Sequence, residues 1–485
     1  MESFFVVCRS GKCCERGMGR TTGMLPFRIE VTEDDAAVTA LAGLPLVVET
    51  MRTLGVSGEL DAGLGIRQRN NGATDAQKAE AIVMLMAAGG TCLSDITKLH
   101  ADKGLERLLG RELPSEQILW TFLNAFHDES LIEEARRKLG PDQVAYIPEE
   151  NRPLRALGRV NVALAHAVAS KNRVTRATLD HDATVAESHK QEAKAHYKGG
   201  RGYQPSVIYW VEADQVIGDE FRDGNVPAGM ENLRLIKHGF ASLPVTVRER
   251  FLRGDSALYE QSVLKWLADE EREGGPQGFI GFSISADMSK ELHAACAAVP
   301  EAEWIVVEER TRETVFAAEV EFTPGEWSKR AAPLRYVAVK FVSKQLDLDG
   351  KVTVKHLAVA SNRRDLSIPE LLRWHWEKAG TIEHVHDVVK NELAGGTFPS
   401  GRFGANAAWF RFALLTYNVL SAMKQLALPP SMESARPKRM RFALFTLAAR
   451  ITSHAGSLVM RIGRGAEKLA DLVASRCRLA KLAPA

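Results

Sequence analysis

Cysteine and long apolar runs are both scarce in this chain, and each scarcity excludes something. Six cysteines in 485 residues are too few for a disulfide-stapled scaffold. Cys8, Cys13 and Cys14 crowd at the start, and Cys92, Cys296 and Cys477 are scattered without metal-ligand spacing. That usage fits the reducing cytoplasm. Nowhere does the chain reach the roughly 18 consecutive apolar residues of a membrane span, so no membrane partner is expected. Met1–Val7 has no basic segment, and no small-residue cleavage site follows an apolar core, so no secretory leader is expected. What is present is 45% hydrophobic and 26% charged, the balance of a globular protein with ample core. At roughly 100–200 residues per domain, this length predicts two to four domains.

Net charge is only +2, but it is unevenly spread. From Ser431 onward there are 11 Lys/Arg against 3 Asp/Glu. A basic end on a near-neutral chain points to a polyanion partner, with a solvated helix face as the plainer alternative.

Along the chain, residues 1–23 read as a tail or an over-long start, and Met24 opens a more regular pattern. A helical domain is expected over 24–150. Thr74 and Gln77 form a capping box ahead of Ala79, Ile82, Val83 and Met86. Ser115 caps a helix carrying Ile118, Phe122, Ala125 and Phe126. Pro141–Pro153 reads as a linker and Leu154–Ser170 as a helix. Over 171–290 the pattern turns to strands (Arg176–Thr184, then a hairpin Pro205–Val211 and Gln215–Phe221) mixed with helices, which predicts an α/β domain. A β-rich insertion follows over 291–362, then a long helix Pro369–Leu393 within 363–425, and a basic helical region over 426–485.

Three acids carry the candidate chemistry. Asp182 ends a strand in LDHDAT; Asp180 lies two residues earlier on the same face, so either is a possible ligand. Asp255 closes another strand in RGDSA. Glu383, Asp387 and Lys390 share one helix face at i, i+4 and i+7. Two strand-end aspartates and a helical glutamate suit two Mg²⁺ ions, because hard cations prefer carboxylate oxygens. Two such ions serve phosphoryl transfer by activating the attacking oxygen and stabilising the leaving one. In a chain with 61 acidic residues each acid is weak evidence alone. His181, His189, His384 and His386 match no standard zinc spacing. Gly395–Gly396 and Gly401–Gly404 follow a helix rather than a strand, so they read as a turn and not as a nucleotide loop.

Several long blocks, in order, resemble bacterial insertion-sequence transposases of the DDE type, specifically the 1380 group, related to the insertion-sequence-4 superfamily. They are LDHDAT with HYKGGRGYQP (Lys198, Arg201, Tyr203), FRDGNVPA (Phe221–Ala228), RGDSA, the stretch Gly380–Phe410, and SARPKRMRF (Ser434–Phe442). The resemblance covers about Met24 to Leu458. It implies an α/β chain with a ribonuclease-H-like catalytic core and a β-rich insertion, flanked by N-terminal and C-terminal helical regions. It further implies Asp182, Asp255 and Glu383 as metal-binding catalytic acids, with Mg²⁺ replaceable by Mn²⁺. The implied partners are DNA, both the terminal inverted repeats and the target, and a second copy of the chain in the synaptic complex. The implied location is the bacterial cytoplasm, on the nucleoid when bound.

The broader group's Tyr-x₂-Arg-x₃-Glu-x₆-Lys signature is kept at Glu383 and Lys390, with Trp376 at the tyrosine position. Ala379 stands where the arginine is expected; either the neighbouring Lys378 takes over its phosphate contact or that contact is lost. Lys390, Lys378, Lys198, Arg201, Lys438 and Arg439 are the expected DNA contacts. Trp327, in the insertion, is a candidate for stacking on a flipped base, with ordinary strand packing the favoured reading. The expected activity is cut-and-paste transposition; the alternatives are a decayed copy that only grips DNA, or a nuclease without strand transfer.

Overall fold

The computed structural model describes residues 38–69, 71–325, 327, 333–346, 351–466 and 468–482. The expected 1–23 tail and the question of Met24 as the start lie outside the described residues.

The N-terminal part is helical, as its periodicity predicts, with short helices from Pro45–Thr53 to Glu129–Arg137. The Thr74 box forms in full: its hydroxyl accepts from the Gln77 N–H, and the Gln77 side chain reaches back to the Thr74 N–H. That helix, Asp75–Ala88, stops at Gly89, whose φ of 94° closes the last turn in a conformation that other residues rarely adopt. Ser115 likewise caps Glu116–Asn124.

Helix α1 (Arg152–Asn172) leads into the sheet. Strand β2 (Ser206–Trp210) runs antiparallel both to β1 (Arg176–Ala183) and to β3 (Gln215–Glu220). After helix α2 (Asn232–Ala241), β4 (Glu249–Gly254) pairs parallel with β1; helix α3 (Gln261–Ala268) then leads to β5 (Gly281–Ser285), parallel with β4. The order across these five strands is β3-β2-β1-β4-β5. The expected insertion follows as four antiparallel strands, β6 (Ile305–Glu309), β7 (Glu313–Val320), β8 (Arg335–Leu346) and β9 (Val352–Ser361). It does not form a separate layer. Val359–Ser361 of β9 pair with Ser283–Ser285 of β5, so all nine strands form one sheet.

Two long helices complete the core. On α4 (Ile368–Glu392), Leu371 and Leu372 pack against Val315, Ala317, Val337, Val339 and Val359. Helix α5 (Phe403–Leu426) is buried along nearly its whole length. Its Asn418 solves the problem of the sheet's edge: the side-chain amide accepts from the Val216 N–H at 2.8 Å and donates to the Val216 carbonyl at 2.8 Å. The exposed ladder groups of β3 are thereby paired by a helix instead of another strand.

The region 426–485 is not all helix, which corrects the reading from its proline breaks. Strands β10 (Ala449–His454) and β11 (Ser457–Ile462) form a hairpin whose outer partner is Val38–Thr39. The turn residues Ala455 and Gly456 both have positive φ, the two-residue geometry whose twist suits a hairpin. Alternating Ile451, Ser453, Leu458 and Met460 around Ala-Gly was the signal for it. Helix α6 (Leu469–Leu482) follows. Among the described residues, no single helix is long and apolar enough to cross a membrane.

Candidate active site

The C-terminal ends of β1 and β4 bring two aspartates together. Side chains alternate along a strand, so Asp180 and Asp182 both face α4. The parallel register sets Asp180 beside Arg253, so Asp255, just past the end of β4, lies level with Asp182. There Asp255 caps a short turn, accepting from the Ala257 N–H at 3.0 Å. Asp182 is thus a close acidic neighbour of Asp255. Burial pushes Asp255 above the usual carboxylate range; the Lys378 cation opposes that rise and the neighbouring Asp182 adds to it.

Helix α4 supplies the surroundings. Lys378 is buried, with its Nζ 3.4 Å from Asp182 Oδ1. His386 Nε2 is 3.5 Å from Asp182 Oδ2. Burial first, then Lys390 and Lys378, hold His386 down to about 3, so it is neutral at physiological pH. One turn further on, Lys390 donates to Thr184 Oγ1 at 2.7 Å and to the Val185 carbonyl at 3.2 Å. Burial, with Lys198 nearby, lowers its pKa.

Asp180 is otherwise occupied. Both its oxygens are taken by Arg253, at 2.7 and 2.9 Å, and Thr381 also donates to it. Of the two strand aspartates, Asp182 is therefore the one left for a cation. Arg253 was missed in the sequence. Fully buried, it also reaches the Trp374 carbonyl at 2.6 Å and Glu377 at 3.0 Å, tying β1, β4 and α4 into one unit beneath the aspartates. An arginine inside the apolar run RFLRG, in phase with Asp255, was the available signal.

The remaining expected residues fall into place unevenly. Glu383 lies on the same helix but is exposed. Among the described residues no three His, Cys, Asp or Glu side chains converge as a metal site, so Glu383 stands apart from the pair. The histidines form no zinc site: His181 is buried against Ser206 at 2.8 Å, and His189 and His384 are exposed. Lys198 is exposed near Lys390. Arg201 holds its own loop, bonding the Ala193 carbonyl at 2.8 Å and the Gln191 carbonyl at 2.5 Å. Lys438 and Arg439 are exposed on a short helix, Pro437–Met440. Just before it, Arg436 is pinned to Asp387 and Glu392 of α4, both at 2.6 Å. Trp327 corrects the stacking idea: it is buried in the apolar cluster with Val320, Leu334 and Tyr336, where a base could reach it only by displacing that packing. Trp376 packs beside the β7–β9 cluster under Arg310, and Ala379 is exposed.

Chemically, the paired aspartates offer hard oxygen donors with one lysine as counter-charge, a set that fits a hard divalent cation better than a soft one. Asp182 and Asp255 could hold such a cation directly, whereas Glu383 does not converge with them among the described residues. Repulsion between the two acids also gives a measurable signature. Asp255 titrates higher in the fold than in the unfolded chain, so its contribution to stability is complete below the unfolded value of about 4. It is lost as pH rises through the folded value. In metal-free buffer, Asp255→Asn is expected to melt above wild type at pH 7, with the difference shrinking toward pH 4, as followed by calorimetry.

Comparison with known proteins gives one family. The model described as transposase DDE domain, group 1, matches residues 25–483. No curated protein matches the chain.

Proposed function

Because the chain belongs to the DDE transposases, a family of phosphoryl-transfer enzymes that act on DNA with divalent metal ions, we propose that it performs cut-and-paste transposition of an insertion sequence. On this reading it belongs to the 1380 group. Water attacks the phosphodiester at each terminal inverted repeat, and the freed 3′-hydroxyl then attacks target DNA. The observation that carries the proposal is the meeting of Asp182 and Asp255 at the ends of adjacent parallel strands, with Lys378 of α4 reaching Asp182. The order β3-β2-β1-β4-β5, with β1, β4 and β5 parallel, supports a ribonuclease-H-like core.

Asp182, Asp255 and Glu383 would hold Mg²⁺ or Mn²⁺. When bound, two such ions would polarise the phosphodiester and supply a nucleophile at neutral pH. The chain's own residues do the rest. Arg253, bound to Asp180, Glu377 and the Trp374 carbonyl, holds β1, β4 and α4 together beneath the aspartates, and Lys378 supplies a counter-charge to Asp182. Lys390, braced on Thr184 and Val185, presents a cation where DNA would pass, with Lys198 beside it. Since Lys378 is buried on Asp182, the phosphate contact missing at Ala379 falls to Lys390 rather than to Lys378. The exposed Lys438 and Arg439, anchored to the far end of α4 through Arg436, extend the same track. Pairing of two DNA ends calls for a homodimer in the working complex, in the cytoplasm where the nucleoid lies.

The test is to incubate the chain with DNA bearing the element's own ends, a target plasmid and Mg²⁺, and to sequence the products. Joined ends at 3′-hydroxyls are expected. Cut ends never joined would make it a nuclease. Tight end binding without cutting would favour the decayed copy, for which the isolation of Glu383 and the Ala379 departure are the specific observations.

A further inference from the structure

At the opposite end of the sheet from the aspartates lies a second concentration of charge. Arg176 opens β1, Arg248 directly precedes β4, and Arg250 sits one residue into it. Arg363 follows β9. With Phe251, Phe279 and the chain at 277–278, these arginines line a cavity of about 540 Å³. Its two acids, Glu249 and Asp365, leave it with an excess of positive charge.

Three details show a built site rather than scattered surface charge. The Phe251 ring is sandwiched, with the Arg176 guanidinium 4.4 Å from its centre and that of Arg363 4.6 Å. Gly281 stands opposite Phe251 in the register, and a Cβ there would lie 2.6 Å from Arg363 Cδ and 2.7 Å from the Phe251 ring. Only glycine allows that stack to close. Finally, Arg363 is 6% exposed; its Nε and Nη2 bind Asp365 at 2.7 and 2.6 Å and its guanidinium also lies 4.9 Å from the centre of the Trp374 ring, but its buried Nη1 has no hydrogen-bond partner. A buried cationic donor left without an acceptor is unfavourable unless a ligand supplies one.

We propose that this pocket binds a phosphate group of duplex DNA, at a contact distinct from the aspartate pair. The proposal rests on the transposase reading, which makes DNA the source of the phosphate. Arginine forks match phosphate geometry, and Arg176 and Arg248 are exposed at the mouth for a backbone to reach. Six residues of β1 separate Arg176 from Asp182, so at about 3.3 Å per residue the pocket lies ~20 Å from the aspartates. DNA engaged at both places would be gripped along the sheet's length, and the distal hold would add affinity without touching the cut.

The test measures binding of a duplex long enough to span both ends of the sheet, as a function of salt. It compares the wild-type chain with the double variant Arg176→Gln, Arg248→Gln, whose side chains are exposed. Each phosphate neutralised contributes about 0.9 to the slope of log affinity against log salt, so loss of the one phosphate held here is expected to lower the slope by about 0.9 in the variant. Arg363→Lys, which keeps the charge but loses Nη1, is expected to lower the slope as well. A wild type that binds DNA with the same slope as the double variant overturns the proposal. So does calorimetric binding of inorganic pyrophosphate that the double variant loses while its DNA slope stays unchanged, since the occupant would then be a free anion. A wild type that binds no DNA removes the transposase reading and this proposal with it.

Discussion

Glu383→Gln is expected to abolish metal-dependent DNA cleavage, by at least about 10³-fold, while leaving the melting temperature unchanged. That loss equals roughly 4 kcal/mol of barrier, within what a metal centre supplies in phosphoryl transfer. The two halves of the expectation come from different features. Glu383 is exposed on α4 and joins no metal-like cluster among the described residues, so its carboxylate contributes nothing to the fold that glutamine would remove. If it acts, it acts by completing the donor set offered by Asp182 and Asp255. Single-turnover cleavage of end-bearing DNA, beside a melting curve of the same preparation, separates the two. Activity retained in the glutamine variant would leave the aspartate pair without its third carboxylate and require another donor.

Arg411→Met should give the largest loss of stability. Arg411 is buried at the middle of α5, where its Nε bonds both oxygens of Asp219 at 2.8 and 3.0 Å. Its two remaining nitrogens bond Glu150 at 3.0 and 2.7 Å, and Nη1 also bonds the Leu154 carbonyl at 2.7 Å. One side chain thus joins the central helix to the edge strand β3, to the linker before α1 and to the first turn of α1. Burial pushes Asp219 above the usual carboxylate range, and only the Arg411 cation works substantially against it. Methionine fills much of the volume but leaves Asp219 in place without a counter-charge. Removing one member of a buried pair costs about 3–5 kcal/mol. Thermal unfolding is expected to fall by several degrees, and Asp219→Asn in the same chain should recover part of it. An unchanged melting temperature would mean the pair is not closed in solution.

Much of the architecture was legible because it rests on local patterns. The capping box at Thr74, the cap at Ser115 and the alternation in Arg176–Ala183 all became the elements that their spacing implies. The long α4 was readable as a helix over Pro369–Leu393. The hairpin at 449–462 was not, because its basic and small residues look as much like a broken helix as like a strand. Its pairing with Val38–Thr39 is a contact across the whole chain that no window of sequence contains. The same limit applies at the site. Asp182 and Asp255 were found one by one, but their meeting depends on the parallel register of β1 and β4. Choosing between Asp180 and Asp182 required Arg253, which neutralises one and leaves the other. Lys378 could be placed beside Glu383 in the sequence, yet only the crossing of α4 over β1 turns it inward onto Asp182. Trp327 shows the reverse: a tryptophan in an insertion invites a functional reading, and packing against Val320, Leu334 and Tyr336 uses it up.

On the proposed function, Asp182 and Asp255 form a divalent-metal centre for DNA cleavage. The most direct test is cleavage of DNA carrying the element's terminal repeats, with and without Mg²⁺, by wild type and by Asp182→Ala. The account predicts cuts at the repeat ends by wild type only when Mg²⁺ is present, and none by the variant although it still binds the same DNA. Cleavage by Asp182→Ala at the wild-type rate, or by wild type after chelation of all divalent metal, would contradict it.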